Sequence, residues 1–317
     1  MARENFRFKD NEGIELNCYR WNTEDGITPK AIVQIAHGMA EHVLRYDELA
    51  NALAKEGYIV YGHDHRGHGL TAKTLGDIGY MDDKDNFHAM VKDLRDLNDF
   101  IKEENKDIPI ILLGHSMGSF LSQRYIELYG DTINGLILMG TNGKQKSIAT
   151  LGLALSWIEM KFCGRKKKSK MMDKLSFGSF NNSFKPTRTQ FDWLSRDEKE
   201  VDKYIENPYC GEVFTVSYYY DLLKGLKAIH HKENLDKIPK NLEIHIFAGS
   251  KDPVGYEGQG IINLYNLYKA LNIEKVHYKL YEGGRHELLN ETNKTEVIKD
   301  IKLALDEILQ KEIVYNH

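Results

Sequence analysis

Gly114-His115-Ser116-Met117-Gly118 sets a serine between two glycines, where an apolar run ends and a helical pattern begins. A serine held in a tight strand-to-helix turn projects its Oγ outward, and flanking glycines let the backbone approach closely. The following helix offers N–H groups and a positive dipole end to a developing oxyanion. An ordinary glycine turn is the alternative. Serine alone is a weak nucleophile; it needs a general base, and the base needs an orienting acid. In a strand–helix architecture these follow in the order Ser, acid, His at the C-terminal ends of strands. Asp252, in Phe247-Ala-Gly-Ser-Lys-Asp252-Pro, and His286, in Tyr281-Glu-Gly-Gly-Arg-His286-Glu, fit that order. Asp252-Pro253 is equally a turn former, His286 equally a loop histidine, and Glu257 and Glu287 are rival carboxylates. A second oxyanion donor is expected in the loop His37-Gly-Met-Ala-Glu-His42, which makes the Met39 and Met117 amides the candidate pair, unless this is a plain strand-end turn.

Positioning these groups requires strands that end in the right places. Residues 31–36 form a short apolar run of the buried-strand type, and further strands are expected at 58–61, 108–113, 135–139, 243–248 and 275–281. A hairpin is expected from 5–8 and 14–21, turning at Asn11-Glu12-Gly13. Helical spacing appears at 46–56, 85–104, 117–129, 258–271 and 292–311. This alternation predicts an α/β domain with a mostly parallel sheet, helices on both faces and the hairpin as an antiparallel edge. Between 142 and 238 the alternation stops. Only helix-like pieces remain there, at 148–160, 196–206 and 213–227. A single α/β domain needs about 200–250 residues, leaving roughly 70–100 of this chain to explain. The expected organisation is a core of 1–141 and 239–317 interrupted by an inserted helical cap, or lid, at 142–238.

Five stretches carry a family resemblance: His37-Gly-Met-Ala-Glu-His-Val-Leu-Arg-Tyr46, Gly62-His-Asp-His-Arg-Gly-His-Gly69, Gly114-His-Ser-Met-Gly118, Gly249-Ser-Lys-Asp-Pro253 and Tyr281-Glu-Gly-Gly-Arg-His286. Together they resemble the α/β-hydrolase superfamily, and within it the serine hydrolases of monoacylglycerol lipase and lysophospholipase type. The resemblance implies the α/β-hydrolase fold and a triad of Ser116, Asp252 and His286. It also implies that Glu41, Arg45 and His115 contact a glycerol-like polar end of the substrate, although Glu41 and Arg45 could equally form a structural salt bridge. The expected activity is hydrolysis of single-chain acyl esters, monoacylglycerol first, with lysophospholipase or general carboxylesterase as alternatives. A catalytically silent small-molecule binder on the same fold is the non-enzymatic alternative.

Composition narrows the partners. The net charge of −4 gives no support for nucleic-acid binding, and 41% hydrophobic with 28% charged residues excludes a disordered or fibrous chain. The opening Met-Ala-Arg-Glu-Asn-Phe has no apolar stretch, so no secretory signal is expected. Cys18, Cys163 and Cys210 are odd in number and scattered, as expected of reduced thiols in a cytoplasmic protein. His63-Asp-His65-Arg-Gly-His68 approaches a metallo-hydrolase pattern, but Gly67 stands where that pattern needs an aspartate. A hydrogen-bonded loop flooring the pocket is the expectation there, with no metal or organic cofactor. The apolar run 148–160 followed by the basic stretch 161–170 is suited to peripheral contact with an anionic membrane surface, or is a solvated loop.

Overall fold

The computed structural model describes residues 3–81, 85–143 and 148–315. The chain runs β1 (Arg3–Lys9), β2 (Glu15–Trp21), β3 (Ala31–Ala36), α1 (Asp47–Lys55), β4 (Tyr58–His63), α2 (Asn86–Glu104), β5 (Ile110–His115), α3 (Met117–Tyr129) and β6 (Gly135–Met139). After β6 come α4 (Ile148–Cys163), α5 (Lys170–Phe177), α6 (Glu198–Glu206), α7 (Val216–Ala228) and α8 (Lys232–Leu235). The alternation resumes with β7 (Glu243–Gly249), α9 (Gln259–Ala270), β8 (Val276–Tyr281) and α10 (Lys294–Tyr315). One eight-stranded sheet has the order β1-β2-β4-β3-β5-β6-β7-β8. β1 and β2 pair antiparallel, β2 pairs antiparallel with β4, and β3 to β8 are parallel. The sheet is that of the α/β-hydrolase fold.

Alternate residues of the central strands feed two cores. Ile32, Ile110, Leu112 and Leu136 pack toward α2, α3 and α9 through Leu94, Leu121 and Leu264. Val33, Ile35, Leu113 and Ile137 pack the other way, against Leu49 and Leu53 of α1 and Ile301 and Leu305 of α10. Each such side chain, fully buried, contributes about 1.5–3 kcal/mol. The polar exception is Gln34, whose amide donates to the Leu94 carbonyl and accepts from Asn98, so burial leaves it bonded.

All eight expected strands are present, most with ends shifted by one or two residues, and two of the shifts have a clear cause. β5 begins at Ile110 rather than 108, because Pro109 has no N–H for the ladder; its carbonyl instead accepts from Ile32. β4 continues to His63 because β2 on one side (Cys18 opposite His63) and β3 on the other (Ile35 opposite Gly62) keep it paired. The described residues between β6 and β7 add no strand to the sheet, and several short helical turns there had no counterpart in the expected pieces.

Candidate active site

The parallel strands deliver their C-terminal ends to one edge of the sheet. Ser116 follows β5 directly, with φ 51° and ψ −119°. That positive φ is costly for a residue with a Cβ, on the order of 1–3 kcal/mol, and the packing around it must enforce it. Gly118 is the condition for this turn. A Cβ there would lie 2.0 Å from the Ala36 carbonyl oxygen, so only glycine lets α3 seat against the end of β3. The Ser116 amide donates to the Met139 carbonyl at 3.0 Å, tying the turn to β6.

His286 Nε2 lies 2.9 Å from Ser116 Oγ, and its Nδ1 lies 3.0 Å from both carboxylate oxygens of Asp252. Asp252 also accepts from the Val254 amide, which fixes the carboxylate plane. The rival acids are engaged elsewhere: Glu257 accepts from Ser183, and Glu287 binds the Arg45 guanidinium through both oxygens. The structure therefore brings together the serine, histidine and aspartate expected from the sequence, in the geometry a nucleophile–base–acid relay requires.

Glu41, Arg45 and His115 form one buried network. Glu41 accepts from the Gly38 amide at 2.6 Å, from the Tyr46 hydroxyl at 2.8 Å and from Arg45 at 3.0 Å. His115 Nδ1 lies 3.2 Å from Glu41, and its Nε2 lies 3.3 Å from the His286 carbonyl. Burial alone would push the Glu41 carboxyl up, but the His115 hydrogen bond and the Arg45 charge outweigh it and hold the pKa well below the carboxylate range. Burial opposes charge on His115, and Glu41 overrides it, so the imidazole pKa is raised. The network grips the loop that carries Met39.

Two cavities meet at Ser116. One, of about 250 Å³, is lined among others by Glu41, His115, Asp173, Asn181, Gln190 and His286. The other, of about 340 Å³, is lined mainly by apolar groups, including Met117, Phe120, Met172, Leu175, Leu222 and Leu226. Ser116 and Met39 line both. Arg45 lies behind Glu41 and lines neither of these two.

The histidine loop departs from expectation in position. It is hydrogen-bonded as foreseen: Asp64 accepts from Val43, Leu70 and Asn17, and Arg66 pairs with Asp10 and Asp93. Yet residues 64–69 line neither cavity and so do not form their floor. They sit one layer deeper, where the His65 amide donates to His37 Nε2 at 2.9 Å and the rings of His37, His65 and His68 pack together. Burial pushes His37, His63 and His68 down to about 3, so all three are neutral.

The stretch between β6 and β7 also reaches the site, through contacts that the sequence did not specify. Trp193 packs on the His286 ring with centroids 5.0 Å apart, and the Glu287 amide donates to the Leu194 carbonyl at 2.8 Å. On the other flank the Gly211 amide and the Tyr204 hydroxyl both donate to the Ala40 carbonyl. Trp193 and Tyr204 were visible only as two among many aromatics; no spacing tied them to His286 or Ala40.

The family model for serine aminopeptidase S33 matches residues 27–293. The chain belongs to this serine hydrolase family. Monoglyceride lipase from Mus musculus is 28% identical over 88% of this chain and 82% of its own length. Monoacylglycerol lipase from Mycolicibacterium smegmatis is 26% identical over 95% of this chain and 96% of its own. Among solved structures, a thermostable carboxyl esterase from Bacillus coagulans in complex with glycerol superposes with TM-score 0.89 at 27% identity, covering 98% of this chain and 99% of that one. This S33-family chain is thus a serine hydrolase with lipase and esterase relatives along nearly its whole length.

Proposed function

We propose that the chain is a monoacylglycerol lipase whose triad is Ser116, His286 and Asp252. The observation that carries this reading is the position of Ser116 on the wall of both cavities, one apolar enough for an acyl chain and one polar enough for an alcohol head. His286 Nε2 takes the Ser116 proton as Oγ attacks the ester carbonyl. The Met39 and Met117 amides hold the oxyanion of the tetrahedral intermediate. The C–O bond to the alcohol breaks, and the alcohol leaves with the proton from His286. Water, deprotonated by the same imidazole, then attacks the acyl-serine; the acid departs and Ser116 regains its proton. Asp252 holds the imidazole tautomer and balances its positive charge. Glu41 and His115 meet the head-group hydroxyls, and Arg45 acts through Glu41.

The head-group side is lined by the acids Glu41, Asp173, Glu212 and Glu287. Glu41 and Glu287 face Arg45, Glu212 faces Lys168 at 2.6 Å, and burial raises the Asp173 carboxyl, which accepts from the Tyr219 hydroxyl. Among the described residues no lysine or arginine lines this cavity to receive a phosphate. A neutral polyol suits such a cavity better than the phosphate of a lysophospholipid.

We further propose that the insertion acts as the cap of the site and touches membranes from outside. Its α4 exposes Leu151, Trp157, Ile158 and Phe162, and among the described residues no helix is long and apolar enough to cross a bilayer. Cys18, Cys163 and Cys210 are free thiols, which suits a cytoplasmic setting.

The deciding experiment compares kcat/KM for a monoacylglycerol, lysophosphatidic acid and lysophosphatidylcholine of one chain length, with an aminoacyl anilide alongside. The expected result is at least a tenfold preference for the neutral glycerol ester, abolished in Ser116→Ala together with fluorophosphonate labelling. Equal rates on the lysophospholipids would favour the phospholipase alternative. Activity above one per cent in folded Ser116→Ala would overturn the mechanism.

A further inference from the structure

A second cluster of ligand-bearing side chains lies at the opposite end of the sheet. Glu243 is the first residue of β7, whereas Asp252 follows its last, so the two places are separated by about 20 Å of strand. His245 follows two residues on, on the same face of β7, and stands directly opposite His277 of β8 in the parallel register. The two imidazole rings stack with centroids 4.8 Å apart at 19°. Glu243 Oε1 lies 3.2 Å from His245 Nε2 and 3.9 Å from His277 Nε2, and the three ligand atoms all lie within 4.8 Å of one another. Glu307, projecting from α10, brings a carboxylate oxygen to 3.8 Å from the same His245 nitrogen.

We propose that this corner binds a divalent ion of the zinc class, held by Glu243, His245 and His277, with Glu307 or water in the fourth position. Two imidazoles and a carboxylate form a ligand set that suits zinc and neighbouring transition metals better than magnesium or calcium, which take oxygen ligands. Bonds of about 2.0–2.2 Å to a tetrahedral ion put ligand atoms roughly 3.3–3.5 Å apart; the two carboxylate–imidazole separations, 3.2 and 3.9 Å, bracket that value, and the two imidazole nitrogens lie within 4.8 Å of each other. Closing the remainder asks little of the protein, since the His277 and Glu307 side chains are both more than half exposed and can rotate. Glu243 and His245 are buried and supply the fixed half of the site. The His245 nitrogen facing Glu243 gives its lone pair to the ion while the ring keeps its proton on Nδ1. Lys275 approaches the other oxygen of Glu243, Oε2, at 3.4 Å, so the carboxylate can bind the ion through Oε1 and keep the ammonium on its far side. Bound there, the ion would clamp β8, the edge strand of the sheet, to β7 and α10.

The test uses untagged protein stripped with chelator, titrated calorimetrically with Zn²⁺ and, separately, with Mg²⁺. The expected result is one Zn²⁺ per chain, no heat with Mg²⁺, and a melting temperature raised by about 4 °C at a hundredfold excess over Kd. His277→Ala, on an exposed edge-strand position, should weaken Zn²⁺ binding at least tenfold while ester turnover without metal stays at the wild-type value. A smaller loss would put the ion elsewhere, on His286 or Cys163 for example, and would overturn the proposal. So would the absence of Zn²⁺ binding below millimolar concentration. Neither outcome touches the hydrolase reading, which is measured separately on metal-free protein.

Discussion

His286 has only two ring nitrogens, and both are committed. Its Nδ1 faces Asp252 and its Nε2 faces Ser116, so the tautomer that leaves Nε2 free to accept a proton is the one in which Nδ1 donates to the aspartate. Asp252→Asn keeps the shape but offers an N–H where a lone pair is needed. It should lower kcat about 10⁴-fold with the fold unchanged by circular dichroism. Ser116, Asp252 and His286 were legible in the sequence because each closely follows a strand-like run and a glycine, and because they stand in the order serine, acid, histidine. The partnership of Arg45 with Glu287 was not legible. The two residues lie far apart in the chain and meet only because the loop after β3 and the loop after β8 reach the same edge of the sheet. Sequence alone could weigh Glu287 only as a rival to Asp252.

At the scale of the element, α3 is the most constrained piece. Gly118→Ala would bring a Cβ to 2.0 Å from the Ala36 oxygen and 2.6 Å from that of His37, both backbone atoms that cannot swing away. The helix must lift or the strand end must give, at a cost of about 3 kcal/mol or more, readable as a lower urea midpoint and lost activity together. The same helix carries Glu127, buried, with its carboxyl pushed up to about 8 by desolvation against the partial relief of Arg124. A carboxyl whose folded pKa is raised contributes full stability below its unfolded value near 4.5 and loses it as pH rises through the folded pKa of about 8. Glu127→Gln should therefore gain on wild type by about 1–2 kcal/mol between pH 6 and pH 9, measured by chemical denaturation. Elements of the core were legible because buried runs and helical periods alternate, with glycine and proline marking the breaks. Between β6 and β7 the apolar residues follow no single period, because many pack in short turns around Trp193 rather than along one face, and only the longest helices there could be foreseen.

For the molecule as a whole, the exposed face of α4 sets the expected behaviour at membranes. Phe162 is 87% exposed and Trp157 48%, while two of the lysines beyond α4 are already engaged, Lys167 with Glu159 and Lys168 with Glu212. Apolar insertion should therefore outweigh charge. A Trp157→Ser, Phe162→Ser double variant should bind anionic vesicles about tenfold more weakly in a sedimentation assay, whereas raising salt should change binding by much less. The stretch between β6 and β7, which we propose to be an inserted cap, is also stitched to the site on two sides, by the carbonyls of Trp193 and Leu194 to the loop of His286, and by Tyr204 and Gly211 to Ala40. In the language of engineering, it is not a cassette. A chimaera that imports another relative's insertion entire would leave Ala40 and the His286 loop without their partners. One that replaces only the stretch around α4 and α5, and inherits 193–211 from the host, keeps the seams closed and exchanges only the wall the acyl chain meets.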